Sequence, residues 1–227
     1  MAQKHGSESH WVSLSDMMTS LMMVFLFLAV LFMFQLQKQF TDYRDSRAAL
    51  YQELDDQFKD RFTDWDMELD KDLTIKFNNP DVLFGEYSTE ITQRFSNILS
   101  EFIPQYLGII SKEKYKSTIS EVRIEGHTAI DNDYMLTIRL SQGRANAVLG
   151  YVLNNQYYES LPKEKQDEIR FWTTANGLGS GRMLDSDGNY VFLTKKNTDK
   201  RSRRVEFKIV TKSEELINEV INTNFQK

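Results

Sequence analysis

The N-terminal part of the chain carries two successive apolar patterns, and the earlier one is almost continuous. Residues 17–34 contain two polar side chains, Thr19 and Ser20. Eighteen helical residues extend roughly 27 Å, close to the ~30 Å hydrocarbon core of a bilayer. This pattern predicts one membrane-spanning helix over residues 11–36, preceded by a short tail over residues 1–10.

The second pattern is an apolar stripe at helical spacing. Residues 37–64 contain no Gly or Pro, and their apolar side chains recur mostly at steps of three and four. The members of this stripe are Phe40, Tyr43, Ala48, Tyr51, Leu54 and Phe58. We interpret residues 37–64 as a helical linker that leaves the membrane and offers a face for pairing with a second copy.

Short alternating segments and helical stripes replace this pattern over residues 65–227. The order predicted between residues 70 and 210 is strand, helix, strand, helix, strand, long loop, strand, with a closing helix over 213–225. Ser141 is expected to cap the second helix, and residues 168–177 are expected to form a strand. This order predicts an α/β sandwich.

The apolar segment has two other interpretations, a cleaved signal peptide and the core helix of a soluble domain. The tail "MAQKHGSESH" is mixed in charge, and no A-x-A cleavage pattern follows it. The run is also longer than a typical signal-peptide core. A retained single span is therefore the favoured interpretation.

Composition narrows the function. The net charge of −5 gives no sign of a nucleic-acid partner, and the absence of cysteine excludes disulfides and cysteine metal sites. No nucleophile–base pairing supports an enzyme. The glycine-rich "GLGSG" lacks a phosphate-loop context, and "DSDGN" fails the calcium-loop spacing, so we expect neither a cofactor nor a bound metal.

One carboxylate, Asp16, stands at the head of the apolar run. Ser13, Thr19 and Ser20 lie three or four residues away and share its helical face. Acids within a membrane usually face other helices or a water path, because lipid exposure costs several kcal/mol. Asp16 is therefore either an ion-binding group shielded by partner helices or a boundary residue that reaches headgroup water.

The segment "WVSLSDMMTSLMMVFLFL" resembles the membrane segment of flagellar stator B-subunits of the MotB type. The matching residues are Trp11, Asp16, Met17, Met18 and Thr19, while Ser15 replaces the usual Ala. In that family the Asp carries the permeating ion. The resemblance thus implies that Asp16, with Thr19 and Ser20 nearby, conducts H⁺ or Na⁺.

Residues 70–210 are similar to the OmpA-like peptidoglycan-binding domain, which MotB-type subunits carry after the same span. Three motifs occur in the family's order: "RIEGHT", "LSQGRANAVLGY" and "RRVE". The resemblance implies an OmpA-like α/β sandwich with a mixed sheet for residues 65–227.

The same resemblance implies a set of wall-binding residues. In the family an Asp and an Arg clamp the zwitterionic amino acid of the peptidoglycan stem, carboxylate against ammonium and guanidinium against carboxylate. Arg144 matches the Arg, but Ala129 stands at the Asp position. The candidate residues are Arg144, Asp131, Asp133, His127 and Arg204. A domain that keeps the fold and dimerises without gripping the wall is the alternative.

Together the resemblances imply the ion-conducting B-subunit of a proton- or sodium-driven membrane motor. The expected partners are a second copy, a ring of multi-span A-type subunits (MotA- or ZorA-like) and peptidoglycan. The family is a single-pass inner-membrane protein with a cytoplasmic N-terminus and a periplasmic C-terminal domain. Charge alone favours the opposite orientation, because one cation, Lys4, precedes the span and Lys38, Arg44 and Arg47 follow it.

Two kinds of membrane motor and one static anchor fit these features. The "SDMMTSLMMVFLFLAV" segment, the short tail and the altered wall motif look most like the ZorB component of Zorya anti-phage defence systems. A flagellar or gliding stator subunit is the first alternative, although flagellar versions usually carry a longer, more basic tail. A static OmpA-like envelope anchor without ion conduction is the second.

Overall fold

A computed structural model describes residues 6–129 and 133–212 of the chain. The chain divides into two compact units, with the boundary between Asp45 and Ser46. The closing helix expected over 213–225 lies outside the described residues, so that expectation stays a prediction.

The first unit contains most of helix α1 (Gly6–Phe58). One 18-residue window of this helix has a mean hydropathy of 2.5, and none of that window is buried. Large apolar side chains are exposed along it, for example Met23, Phe25 and Phe32. A helix that is apolar on every side fits a membrane or a protein core. By length and composition, α1 thus contains the expected membrane-spanning helix.

The second unit is built on a mixed five-stranded sheet in the order β1-β2-β5-β3-β4. Its strands are β1 (Met67–Leu69), β2 (Thr74–Phe77), β3 (Ile119–Gly126), β4 (Thr173–Gly177) and β5 (Val205–Thr211). Neighbouring strands are antiparallel except β3 and β4, which are parallel. The expected α/β architecture with a mixed sheet is confirmed.

Helices fill the connections between the strands of the second unit. They are α2 (Pro80–Leu83), α3 (Gln93–Ile110), α4 (Glu113–Lys116), α5 (Tyr134–Leu153), α6 (Gln156–Ser160), α7 (Lys163–Trp172) and α8 (Val191–Thr194). Two turns of 3₁₀ helix cover Lys59–Arg61 and Lys200–Ser202. Because parallel strands require a long crossover, α5 to α7 together connect β3 to β4.

The core of the second unit also includes the end of α1. Leu50, Leu54 and Phe58 are fully buried at four-residue steps, and the Phe58 ring lies 5.1 Å from that of Phe102 in α3. The compact unit therefore begins at Ser46 rather than at residue 65. Part of the stripe that we interpreted as a face for a second copy is buried in the chain's own core.

Two local predictions were wrong. Helix α5 begins at Tyr134, where Asp133 accepts hydrogen bonds from the backbone N–H groups of Met135 and Leu136. Ser141 instead lies buried inside that helix, where its hydroxyl donates to the carbonyl of Ile138.

The other wrong prediction concerns the segment before β4. Residues 168–172 belong to α7, and β4 begins only at Thr173. The buried residues of α7, Ile169 and Trp172, are three apart, which is helical rather than strand spacing.

Candidate functional site

The first predicted site residue, Asp16, is exposed on α1. It is the single charged residue among positions 11–37. The hydroxyl of Thr19 donates to the backbone carbonyl of Ser15 at 2.8 Å, so its proton is used within the helix. Ser20 is exposed as well. A lone helix leaves this carboxylate unshielded, and any shielding in a bilayer has to come from other helices.

The second site lies where the end of β3 meets the start of β5. Glu125 and Glu206 are directly opposite each other in the antiparallel register, and His127 follows β3. A Cβ at Gly126 would collide with the carbonyl oxygen of Ser141, so glycine permits the close approach of α5 to this end of the sheet. In the motif "EGH", Gly126 thus faces α5, while Glu125 and His127 point to the opposite face of the sheet.

Four polar side chains of this cluster are almost completely buried: Glu125, His127, Arg204 and Glu206. Arg204 donates from Nε to Oε1 of Glu206 at 2.5 Å and from Nη1 to the carbonyl of Arg182 at 3.3 Å. Nε2 of His127 lies 3.6 Å from Glu206 and 3.9 Å from Glu125. Arg182 approaches Glu125 to 3.7 Å from a half-exposed position.

Burial sets the protonation of this cluster. It raises the pKa of Glu125, with further help from the negative charge of Glu206, and it lowers the pKa of His127. Burial also acts to raise the pKa of Glu206, but His127 and Arg204 beside it hold that pKa below its usual range. Glu206 is therefore an ionised carboxylate of this cluster at neutral pH, and Arg204 is the cation bonded to it.

A polar cavity of about 330 Å³ opens beside the cluster. Its lining includes Glu125, Arg182, Arg204 and Glu206, together with residues of the 184–194 segment. Asp70, Asp72, Lys76 and Lys208 also face it. The cavity gives small polar solutes a route to the carboxylates of the cluster.

Arg144, the predicted wall-binding residue, is buried on α5. Its Nε donates to the carbonyl of Ser88 at 3.0 Å and its Nη2 to that of Gly85 at 3.2 Å. The guanidinium also lies over the ring of Phe84, 5.1 Å from its centroid. Burial lowers the pKa of Arg144 to about 10, so it remains charged at neutral pH. Arg144 thus links α5 to the 84–88 segment.

Of the two predicted carboxylate partners of Arg144, the structure describes Asp133, which is not brought beside it. Asp131 lies outside the described residues. Asp133 caps α5, about 16 Å from Arg144 along the helix axis. His127 and Arg204 belong to the separate buried cluster. The wall-binding role of these five residues stays a prediction.

Comparison with known proteins decides the family. No family model matches the chain. Zorya protein ZorB from Escherichia coli strain Crooks is 36% identical over 238 residues, covering 97% of this chain and 96% of the relative. The chain belongs to the ZorB family. A second ZorB, from Escherichia coli strain ETEC, is 23% identical over 207 residues, covering 88% of this chain and 79% of that relative.

Among solved structures, a MotB-like protein from Desulfovibrio vulgaris is similar to this ZorB-family chain. The identity is 17% and the TM-score 0.45, with 74% of this chain and 98% of that chain covered. We assign the mixed sheet of the ZorB-family chain from its own strand order and register, not from this similarity.

Two residues of the buried cluster, Glu125 and Glu206, were missed as site residues by the sequence analysis of this ZorB-family chain, as was the half-exposed Arg182 beside them. The alternation in β3 contains a signal, since Val122 and Ile124 face the core and Glu125 therefore faces the opposite side. The pairing of Glu125 with Glu206 depends on the β3–β5 register, and Arg182 arrives from the long loop. Neither contact follows from spacing along the chain.

Proposed function

We propose that this ZorB-family chain is the ion-conducting B-subunit of a stator-like motor in Zorya anti-phage defence, and that Asp16 carries the ion, H⁺ or Na⁺. The observation that carries this proposal is the lone carboxylate of Asp16, exposed at the head of an uncharged apolar helix. An acid in that place costs several kcal/mol unless protein or water surrounds it. A residue that served only to hold the helix in the membrane would be better apolar.

The partners follow from the same exposed surface. A second copy and a ring of multi-span A-type subunits, of the ZorA or MotA kind, provide the helices that surround Asp16 and cover the apolar side chains of α1. Ion passage past Asp16 then drives movement of the ring. The transported ion is a substrate of this motor rather than a resident cofactor.

The second unit has the complementary task of holding the B-subunits still. We place the N-terminus in the cytoplasm and the second unit in the periplasm, bound to peptidoglycan. In the described part of the chain, the hydrogen bonds of Arg144 use Nε and Nη2. A guanidinium carries five N–H donors, so Nη1 remains for a carboxylate of the peptide stem.

Replacing Asp16 by Asn tests ion conduction, because Asn keeps the size and polarity but binds no proton at neutral pH. Cells that carry the complete defence system with Asp16→Asn should lose protection against phage to the level of cells without the system. The matched control is Asp42→Asn, an exposed carboxylate of the same helix beyond the apolar run, which should keep full protection.

Immunoblots of the membrane fraction establish that both variants are present, and co-purification with the A-type subunit establishes their assembly. Unchanged protection by an assembled Asp16→Asn complex would remove the motor function and leave a static envelope anchor. Partial protection by Asp16→Glu, which restores the carboxyl group, would strengthen the ionic role.

Wall attachment is tested by co-sedimentation of the detergent-purified chain with peptidoglycan sacculi. Arg144→Ala removes charge-assisted hydrogen bonds of about 1.5–3 kcal/mol, so its affinity should fall roughly 10- to 100-fold. Arg170→Ala, which removes an exposed guanidinium from α7, should sediment like the unmodified chain. Equal sedimentation of the chain and a folded Arg144→Ala variant would exclude Arg144 from the wall contact.

A further inference from the structure

The opposition of Glu125 and Glu206 is unfavourable as it stands. Their strands are antiparallel, and the two residues are register partners. Like charges directly opposite each other destabilise a sheet, and both side chains are more than nine-tenths buried. Arg204 compensates one of the two carboxylates at 2.5 Å. The nearest cation to the other carboxylate, Glu125, is the half-exposed Arg182 at 3.7 Å, and Oε2 of Glu125 has no hydrogen-bond partner among the described residues.

Three ligand atoms of this cluster have no hydrogen-bond partner among the described residues. They are both ring nitrogens of His127 and Oε2 of Glu125. His127 is 1% exposed and Glu125 is 4% exposed, so bulk water does not satisfy them. A buried polar atom left without a partner is costly. An imidazole presents one nitrogen to a given ion, so Nε2 of His127 and Oε2 of Glu125 are the two atoms that a shared electron-pair acceptor can satisfy.

The distances within the cluster fit a shared metal ion better than hydrogen bonds. Nε2 of His127 lies 3.6 Å from Glu206 and 3.9 Å from Glu125, beyond the usual hydrogen-bond range of about 2.7–3.2 Å. One ligand atom from each of the three side chains lies within 4.8 Å of the others. Two ligands of a tetrahedral zinc ion, each about 2.0–2.2 Å from the metal, are about 3.4 Å apart. Bringing all three onto one ion shortens the separations between these ligand atoms by up to about 1.4 Å.

We propose that Glu125, His127 and Glu206 bind a divalent first-row transition cation of the zinc class. One imidazole and two carboxylates form a common donor set for such ions, and the imidazole disfavours Mg²⁺ and Ca²⁺. The neighbouring cavity, which Glu125 and Glu206 line, gives the ion a route from solvent. A bound ion would link β3 to β5 at the end of the sheet next to α5.

The surrounding charges permit a divalent cation. Arg204 already neutralises Glu206 in part, and it is fixed by the carbonyl of Arg182. The side chain of Arg182 is 52% exposed and lies 3.7 Å from Glu125, so it can turn into solvent when an ion arrives. The four other charged residues that line the cavity, Asp70, Asp72, Lys76 and Lys208, are balanced in sign.

Zinc binding is measured on the full chain in detergent. The chain carries no polyhistidine tag and is first treated with a chelator to remove bound metal. All proteins carry His5→Asn and His10→Asn, so that His127 is the one histidine left of the three in the sequence. Zn²⁺ should bind saturably at one ion per chain. At a hundredfold excess over its Kd it should raise the Tm of the second unit by about 5–10 °C. Mg²⁺ at the same concentration should raise it much less.

His127→Gln and Glu125→Gln should each abolish the zinc-induced Tm rise and the bound zinc. Glu121→Gln is the matched control, since Glu121 lies on the same strand but pairs with Arg123 outside the cluster. If His127→Gln fails to fold, Glu125→Gln decides, because Oε2 of Glu125 has no hydrogen bond to lose in the described structure. The proposal is overturned if the unmodified cluster binds no zinc saturably, or if folded Glu125→Gln binds it as well as the control.

Discussion

The two units of this chain use the same residue types in opposite ways. Phe25 and Phe32 on α1 are each 62% exposed, whereas Phe77 and Phe102 in the second unit are 0% exposed. The second unit supplies its own apolar partners, in a cluster of aromatic rings 5–6 Å apart. In the described part of the first unit, no apolar side chain at positions 14–45 is buried. Its apolar surface is therefore made for lipid or for other chains, and the second unit is made to fold by itself.

The charged groups differ in the same sense. Asp16 is exposed on an apolar helix and has to be satisfied by something outside this chain. Glu206 is buried, but Arg204 of the same unit neutralises it. The charge of the first unit thus has to be compensated by other molecules, whereas the second unit compensates its buried charge internally.

The sharpest way to break this comparison is to remove a phenyl ring from each unit. Phe102 touches the rings of Phe58, Phe77, Tyr106 and Phe207, at centroid distances of 5.1–5.2 Å. Phe102→Ala leaves a cavity and should lower the free energy of unfolding of the second unit by about 3–5 kcal/mol. The fluorescence of buried Trp65 and Trp172 follows this unfolding in detergent.

The matched change in the first unit is Phe25→Ala. It should alter the unfolding of the second unit by less than about 0.5 kcal/mol, because the ring of Phe25 contributes nothing to that core. Similar losses for the two variants would contradict the division of the chain into units with different apolar partners.

A smaller effect is expected at Glu53, a charged residue in the part of α1 that belongs to the second unit. Glu53 accepts hydrogen bonds from Lys112, Lys114 and the hydroxyl of Tyr115. Burial acts to raise its pKa, but these bonds outweigh burial and lower the pKa to about 2. Glu53→Gln should cost about 1–2 kcal/mol of unfolding free energy at pH 7, an amount reduced by partial solvent screening.

The lowered pKa of Glu53 also predicts how the stability difference between the unmodified chain and Glu53→Gln changes with pH. A carboxylate whose pKa is lower in the folded state than its ordinary 4.5 stabilises the fold above pH 4.5. This contribution is lost as the pH falls toward about 2, so the difference between Glu53 and Glu53→Gln should shrink over that interval. Glu101→Gln, at an exposed pair with Arg61, should show little effect at any pH. A difference that stays constant with pH would show that Glu53 acts by packing rather than by charge.

Much of the architecture was predictable because it follows from local periodicity. The uninterrupted apolar run predicted the long helix, and the alternation of Leu73, Ile75 and Phe77 predicted β2. The resemblance in the motifs around His127 and Arg144 predicted the mixed sheet and the family. The N-terminus of α5 was misplaced, because its exposed first turn (Tyr134 to Leu136) lacks the buried stripe that marks the rest of the helix.

The candidate sites were predictable to different extents. Asp16 stands out because one charge in an apolar run is visible in the sequence. The surroundings of Arg144 are not visible, since the carbonyls of Gly85 and Ser88 that it binds come from a distant segment. The hydrogen bonds from Glu53 to Lys114 and Tyr115 likewise join residues that are 61 and 62 positions apart in the sequence.

The sequence by itself determined the apolar helix, the position of its single acid, four of the five strands of the sheet and the family of the chain. These properties depend on residues that are neighbours along the chain, and hydrophobic periodicity reports them directly. The tertiary structure alone decided that α1 ends inside the core of the second unit, and that Glu125, His127 and Glu206 come together. Such contacts depend on strand register and helix packing, where residues far apart in sequence become neighbours in space.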